Sequence, residues 1–129
     1  MSKQTFNLSR VNFFRVVMAA YGNNGIRTVT VPREELESAG DNLNAILGRV
    51  YYYGQNDFQP RNFPSVSCGD VIILDDVDGR HHFFLVVGIG FRRLELEEYL
   101  DWIQAPAIDA EGRSTKSWDA TFKMESNLL

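Results

Sequence analysis

A pair of strand-like segments around a short turn constrains the fold of this chain more than any other feature. Segment 13–21 is rich in aromatic and β-branched residues, and Gly-Asn-Asn-Gly follows at 22–25. Threonine and valine then alternate in segment 26–31. Alternation with a period of two and a Gly/Asn turn are typical of a β-hairpin. The sequence therefore predicts a hairpin over 13–31, which ends at Pro32.

A second hairpin is predicted around the acidic turn at 75–79. Asp78-Gly79 is a strong tight-turn signal, and it lies between the apolar segments 68–74 and 82–87. Because neither segment alternates cleanly, we expect both strands to be central or covered on both faces. The glycines that follow would allow a bend before a short edge strand through Leu94.

Two segments have the spacing of amphipathic helices. Asp41 is a suitable N-cap for a helix with apolar residues at i, i+3, i+4 and i+7 that ends near Gly54. The same spacing predicts a helix over 95–104, and 33–37 could form a short helical turn. The expected fold class is α+β, a single domain. It has an antiparallel sheet of two hairpins plus a short edge strand, with about two helices packed on one face.

Length and composition are those of one globular domain. The chain has 129 residues, of which 44% are hydrophobic and 23% are charged. It can therefore bury a core, and it is neither disordered throughout nor a coiled coil. We predict a flexible lead-in at 1–12, the α+β domain at 13–106 and a polar tail at 107–129, in which 118–122 could form a weak strand.

Charge and hydropathy predict a cytoplasmic protein that binds neither DNA in general nor a membrane. The formal net charge is -4, whereas general binding to a phosphate backbone needs a basic surface. Residues 1–10 contain no apolar stretch of the kind found in secretory signals. The apolar runs are shorter than the ~20 residues of a membrane helix. A lone cysteine excludes an intramolecular disulfide and fits a reducing compartment.

A Cys–His enzyme is one alternative that the sequence leaves open. Cys68 is the only thiol, and His81 and His82 are the only imidazoles. A nucleophilic pair needs hydrogen-bond contact between the two groups. Because neighbouring residues of a strand point to opposite faces, at most one histidine could serve. Burial at the start of a strand explains Cys68 better than reactivity does, so we expect no catalytic residues.

No metal site and no cofactor are expected. Asp75, Asp76 and Asp78 resemble the start of a calcium loop, but basic residues and histidines follow where oxygen ligands should continue. An exposed acidic turn accounts better for these aspartates. The pair Gly88-x-Gly90 lacks the third glycine and the following helix of a nucleotide-binding fingerprint.

The irregular loop at 54–64 is the strongest candidate for a binding site. Amide groups offer donors and acceptors together, an arginine adds a fork of donors, and an exposed tyrosine beside a phenylalanine would form a contact hot spot. The candidate ligand- or partner-binding residues are Tyr52, Gln55, Asn56, Asp57, Phe58, Gln59 and Arg61. Alternatively, the amides and Asp57 cap turns and satisfy the loop's own backbone groups.

Three short motifs resemble the YodL-like domain family. They are Tyr-Gly-Gln-Asn-Asp-Phe-Gln-Pro at 53–60, Ser-Val-Ser-Cys-Gly-Asp-Val-Ile at 65–72 and Val-Gly-Ile-Gly-Phe at 87–91. The match covers about 41–94, and Cys68-Gly69 departs from the Val-Ser often seen before the aspartate. The resemblance implies a small α+β domain of bacteria, phages and conjugative elements, of poorly defined function, and it carries over no catalytic residue. In that pattern Asp70 would satisfy loop N–H groups, and Gly90 would relieve the strand bend.

Small size, modest acidity and the lack of a catalytic constellation predict a non-catalytic binding protein. With the resemblance, they favour a phage or mobile-element protein that acts on a host protein, such as an inhibitor of a defence-system component. One alternative is a small-ligand domain that binds a nucleotide through the 54–64 loop, and a second is the Cys/His-dependent enzyme. An unpaired edge strand such as 26–31 would also allow a homodimer.

Overall fold

Both predicted hairpins are present, and they lie side by side in one antiparallel sheet. The computed structural model describes residues 12–20, 22, 24–58, 64–88 and 90–116. Within this part of the chain, the sheet has five strands in the order β2-β1-β3-β4-β5. The strands are β1 (Phe13–Val17), β2 (Ile26–Thr30), β3 (Val71–Asp75), β4 (His81–Val87) and β5 (Gly90–Leu94). The α+β fold class and the short edge strand through Leu94 are thereby confirmed.

Pairing between β1 and β3 joins the two hairpins. Val16 pairs with Ile72, and Val17 pairs with Val71, so residues that lie far apart in the sequence form the centre of the sheet. Because alternate residues of a strand point to opposite faces, Val16 and Ile72 enter one buried cluster, while Val17 and Val71 enter another. The sheet is therefore apolar on both faces along its central strands.

Three helices cover the described part of the sheet, one more than expected. They are α1 (Arg33–Ala39), α2 (Leu43–Tyr53) and α3 (Leu96–Gln104). The N-cap of helix α2 is Asn42, one residue later than the expected Asp41, because the side chain of Asn42 accepts a hydrogen bond from Ala45 N at 3.0 Å. None of the described helices is long and apolar enough to cross a membrane.

The expectation that the helices lie on one face is wrong. Leu36 of α1 and Leu47 of α2 are buried with one face of the sheet, whereas Tyr99 and Trp102 of α3 pack on the other. The reason lies in β3, in which the four residues 71–74 are all buried. Helices on one face alone would leave every second one of these apolar side chains in water.

The chain after α3 folds back against the domain. Ile108 forms an isolated antiparallel bridge with Ser114. Lys116 is only 1% exposed, and its ammonium lies 5.5 Å from the centre of the Trp102 ring. The fold therefore continues past the predicted boundary at 106. Residues 1–11 of the predicted lead-in at 1–12 and the predicted weak strand at 118–122 lie outside the described residues.

Gly69 is a position at which only glycine fits. Its φ is +98°, and a Cβ there would overlap Lys116 O and approach Ala20 Cα to 3.1 Å. We expect Gly69→Ala to lower the free energy of unfolding by about 3 kcal/mol or to prevent folding, because backbone strain and overpacking add. Denaturant unfolding followed by circular dichroism measures the effect.

Gly79→Ala is the matched control for this prediction. Gly79 has a φ of +80°, but no described atom lies within 4 Å of the position of its Cβ. This variant should therefore lose only about 1 kcal/mol, the usual cost of a left-handed conformation. Equal losses in the two variants would contradict the close packing at Gly69.

Candidate functional site

Gln55 holds the candidate loop to the end of helix α2. Its side-chain Nε2 donates to Tyr51 O at 2.9 Å and to Val66 O at 3.0 Å. Gly54 O also accepts a hydrogen bond from Val66 N at 3.1 Å. The amide of Gln55 therefore joins the two ends of the loop, and its donors are used inside the protein.

Asn56 is held by Arg27, which is not among the predicted binding residues. Arg27 of β2 is buried, and its Nη1 donates to Asn56 Oδ1 at 2.8 Å and to Pro64 O at 2.6 Å. Burial lowers the pKa of this guanidinium. The alternation of β2 could have predicted this inward position, since Arg27 lies two residues before the buried Val29 and therefore on the same face of the strand.

Three aromatic rings meet where α2 ends, and we call Tyr52, Tyr53 and Phe58 the ring cluster. The centroids of each pair of rings are 5.0 Å apart, a favourable distance for aromatic contacts. Tyr53 is half-buried against the core. Tyr52 is 56% exposed and Phe58 is 46% exposed. The ring cluster is therefore anchored on its inner side and open to solvent on its outer side.

The structure describes one of the three remaining candidate residues. Asp57 is exposed between Asn56 and Phe58. Gln59 and Arg61 lie outside the described residues. The structure thus brings Tyr52 and Phe58 into contact, while Gln55 and Asn56 serve the loop itself.

Cys68 and the two histidines lie toward opposite ends of the β3–β4 hairpin. His82 pairs with Leu74, near the turn, whereas Cys68 precedes Val71 at the other end. The step from Val71 to Leu74 alone spans about 10 Å. Cys68 is consequently beyond hydrogen-bond reach of either imidazole. The strand directs the two histidines to opposite faces, as predicted.

Each histidine contacts an aspartate at the start of the acidic turn. His81 Nδ1 contacts Asp75 Oδ1, and His82 Nε2 lies 2.8 Å from Asp76 Oδ2. The contact with His82, together with the N–H of Arg80, lowers the pKa of Asp76. Among the described residues, no three His, Cys, Asp or Glu side chains form a group that could hold a metal ion.

Asp70 is a completely buried carboxylate at the base of the loop. Its Oδ1 accepts from Ala20 N and its Oδ2 accepts from Ser67 N, both at 2.9 Å. The prediction that Asp70 satisfies loop N–H groups is thereby confirmed. Burial raises the pKa of Asp70 to about 6, although the two N–H groups favour the charged form.

Comparison with known proteins found no relative of this chain. No protein-family model, no curated protein and no solved structure matches the chain. The resemblance to the YodL-like family therefore rests on its short motifs alone.

Asp70 makes stability depend on pH in a definite direction. Its pKa is about 6 in the folded protein, whereas the ordinary value for an aspartate is 3.8, so the folded state binds more protons between these values. Stability from this group is thus greatest below about pH 4 and decreases as pH rises to about 6. The informative quantity is the free energy of unfolding of the wild type minus that of Asp70→Asn. We expect this difference to fall by about 2–3 kcal/mol from pH 4 to pH 7.

Urea unfolding of both proteins across this range measures that difference. Because Asp70→Asn removes the titrating group, the comparison cancels the contributions of the other carboxylates. A difference that stayed constant or grew with pH would contradict the raised pKa of Asp70 in the folded protein.

Proposed function

We propose that this chain is a non-catalytic protein-binding domain whose contact surface is centred on the ring cluster. The observation that carries the proposal is the exposure of Tyr52 and Phe58 beside Tyr53, which is half-buried against the core. Tyrosine and other large aromatic side chains supply most of the binding energy in many protein interfaces. They bury a large area and have few rotatable bonds to immobilise.

The contacts within the loop support this proposal, because they hold the ring cluster in place before a partner arrives. Gln55 bridges the chain at positions 51 and 66, and Arg27 holds Asn56. A surface that is already ordered loses less conformational entropy when it binds. These bonds also favour a protein partner over a nucleotide, since they use the side-chain N–H groups of Gln55 and the amide oxygen of Asn56, which could otherwise recognise a base.

The partner that we propose is a host protein with a basic surface. The net charge of -4 would favour association with such a surface. The resemblance to the YodL-like family adds the context of a phage or mobile element, and it suggests a component of a bacterial defence system. An inhibitor of that component is the concrete form of the proposal.

Removal of the two exposed rings tests the proposed function. Tagged protein at micromolar concentration is used to capture partners from bacterial lysate, and a captured protein is purified for titration calorimetry. For a partner that binds through the ring cluster, we expect Tyr52→Ala/Phe58→Ala to raise Kd by at least ~100-fold. The double variant should keep its circular dichroism spectrum, because both side chains are largely outside the core.

Phe13→Ala is the matched control for the ring variants. Phe13 is 53% exposed, but it lies on the other face of the sheet. Its neighbour Phe14 is buried with α1 and α2, so Phe13 points to the face that carries α3. Its removal should change Kd by less than about 3-fold, as is usual outside a hot spot. The proposal fails if no protein is captured, or if the ring variant and Phe13→Ala bind equally well.

A further inference from the structure

A cavity of about 410 Å³ lies between helix α2 and the turn that joins β4 to β5. The helix contributes Gly48 and Tyr51, Val86 and Phe91 line the sheet side, and Cys68 also lines the cavity. This volume is within the range of roughly 300–1,000 Å³ in which proteins hold small organic ligands. No residue of the ring cluster lines the cavity.

Gly48 is the residue that leaves the cavity open on the helix side. Glycine in the interior of a helix costs about 0.5–1 kcal/mol relative to alanine. Gly48 has no positive φ, and no described atom lies within 4 Å of the position that its Cβ would occupy. Neither backbone conformation nor close packing among the described residues therefore requires glycine here. The effect of the missing side chain is an unfilled space.

The lining determines what kind of molecule the cavity can accept. It contains no charged side chain among the described residues, and its polar side-chain groups are the phenol of Tyr51 and the thiol of Cys68. A phosphate or carboxylate would lose its hydration there without gaining an opposite charge. The lining comes from helix α2 on one side and from the ends of β4 and β5 on the other, so the space is a slot between two secondary-structure surfaces that opens to solvent.

We propose that this slot is a binding site for a small, uncharged, planar aromatic molecule. Such a ligand places its ring faces against the apolar side chains and the glycine backbone, while one hydroxyl or N–H group can reach the Tyr51 phenol. Burial, with smaller contributions from Cys68 and Asp70, raises the pKa of Tyr51. The phenol therefore keeps its proton at neutral pH and can donate or accept. This site is separate from the proposed protein-binding surface.

The first experiment is a titration with 2-naphthol as the probe. We expect wild-type protein to bind it with a Kd of about 100 μM. Naphthalene-2-sulfonate has the same ring system with a negative charge, and its Kd should be at least ~10-fold higher because the cavity supplies no countercharge. Absence of 2-naphthol binding at millimolar concentration, or equal affinity for both probes, would overturn the proposal.

Two substitutions of Gly48 locate the probe. Gly48→Leu fills the slot and should raise the Kd for 2-naphthol at least ~10-fold. Gly48→Ala adds one methyl group and should keep the Kd within about 3-fold, while it raises Tm by about 4 °C through its helix propensity. Phe58→Ala should leave the Kd unchanged. If a folded Gly48→Leu variant bound 2-naphthol with wild-type affinity, the slot would be excluded as its binding site. Loss of affinity in Phe58→Ala would show that 2-naphthol binds at the ring cluster instead.

The thiol of Cys68 gives a test that needs no substitution. Cys68 is the only cysteine, so its alkylation by iodoacetamide is followed by intact mass. Saturating 2-naphthol should slow this reaction at least ~5-fold, because the probe covers the thiol. An unchanged rate at saturation would contradict binding in the slot.

Discussion

Burial of the Asp70 carboxylate is the interaction on which the rest of the structure depends. Its two oxygens accept N–H groups from Ala20, after β1, and from Ser67, in the loop before β3. The neighbouring Gly69 carbonyl accepts the indole N–H of Trp102 on α3 at 2.8 Å. One dipeptide therefore connects the first hairpin, the segment before β3 and the helix on the opposite face. A buried carboxylate destabilises the protein at neutral pH, and the bonds that it accepts offset part of this cost.

The last turn of helix α2 presents three tyrosines to three different surroundings. Tyr51, Tyr52 and Tyr53 follow one another along the last turn of α2, so they point in three directions about 100° apart. Tyr51 lines the slot, Tyr53 packs against the core, and Tyr52 contacts Phe58 on the exposed surface. The two proposed sites are thus neighbours on one helix, but they use different side chains. A partner at the ring cluster and a small molecule in the slot would not compete for the same contacts.

Local patterns made much of the fold predictable. Turn residues and alternation specified the hairpin of β1 and β2, and helical spacing specified α2 and α3. The contact between Tyr52 and Phe58 was also predictable, because three consecutive tyrosines cannot all face a core. The role of Gln55 was not, since its acceptors at positions 51 and 66 come together only when the loop closes. The slot was equally hidden, because a helical glycine alone does not show what stands opposite it.

The sequence by itself determined the hairpins, the helices and the α+β class, because these depend on turns and periodicities within a few residues. Only the tertiary structure decided that α3 covers the face opposite α2, and that Cys68 lies away from His82. It also decided that Asn56 and Pro64 O are the groups that Arg27 holds. These features, like the pairing of β1 with β3, depend on contacts between residues that lie far apart in the sequence, and no local pattern encodes them. Pairing between distant strands is selected by the burial of both faces at once.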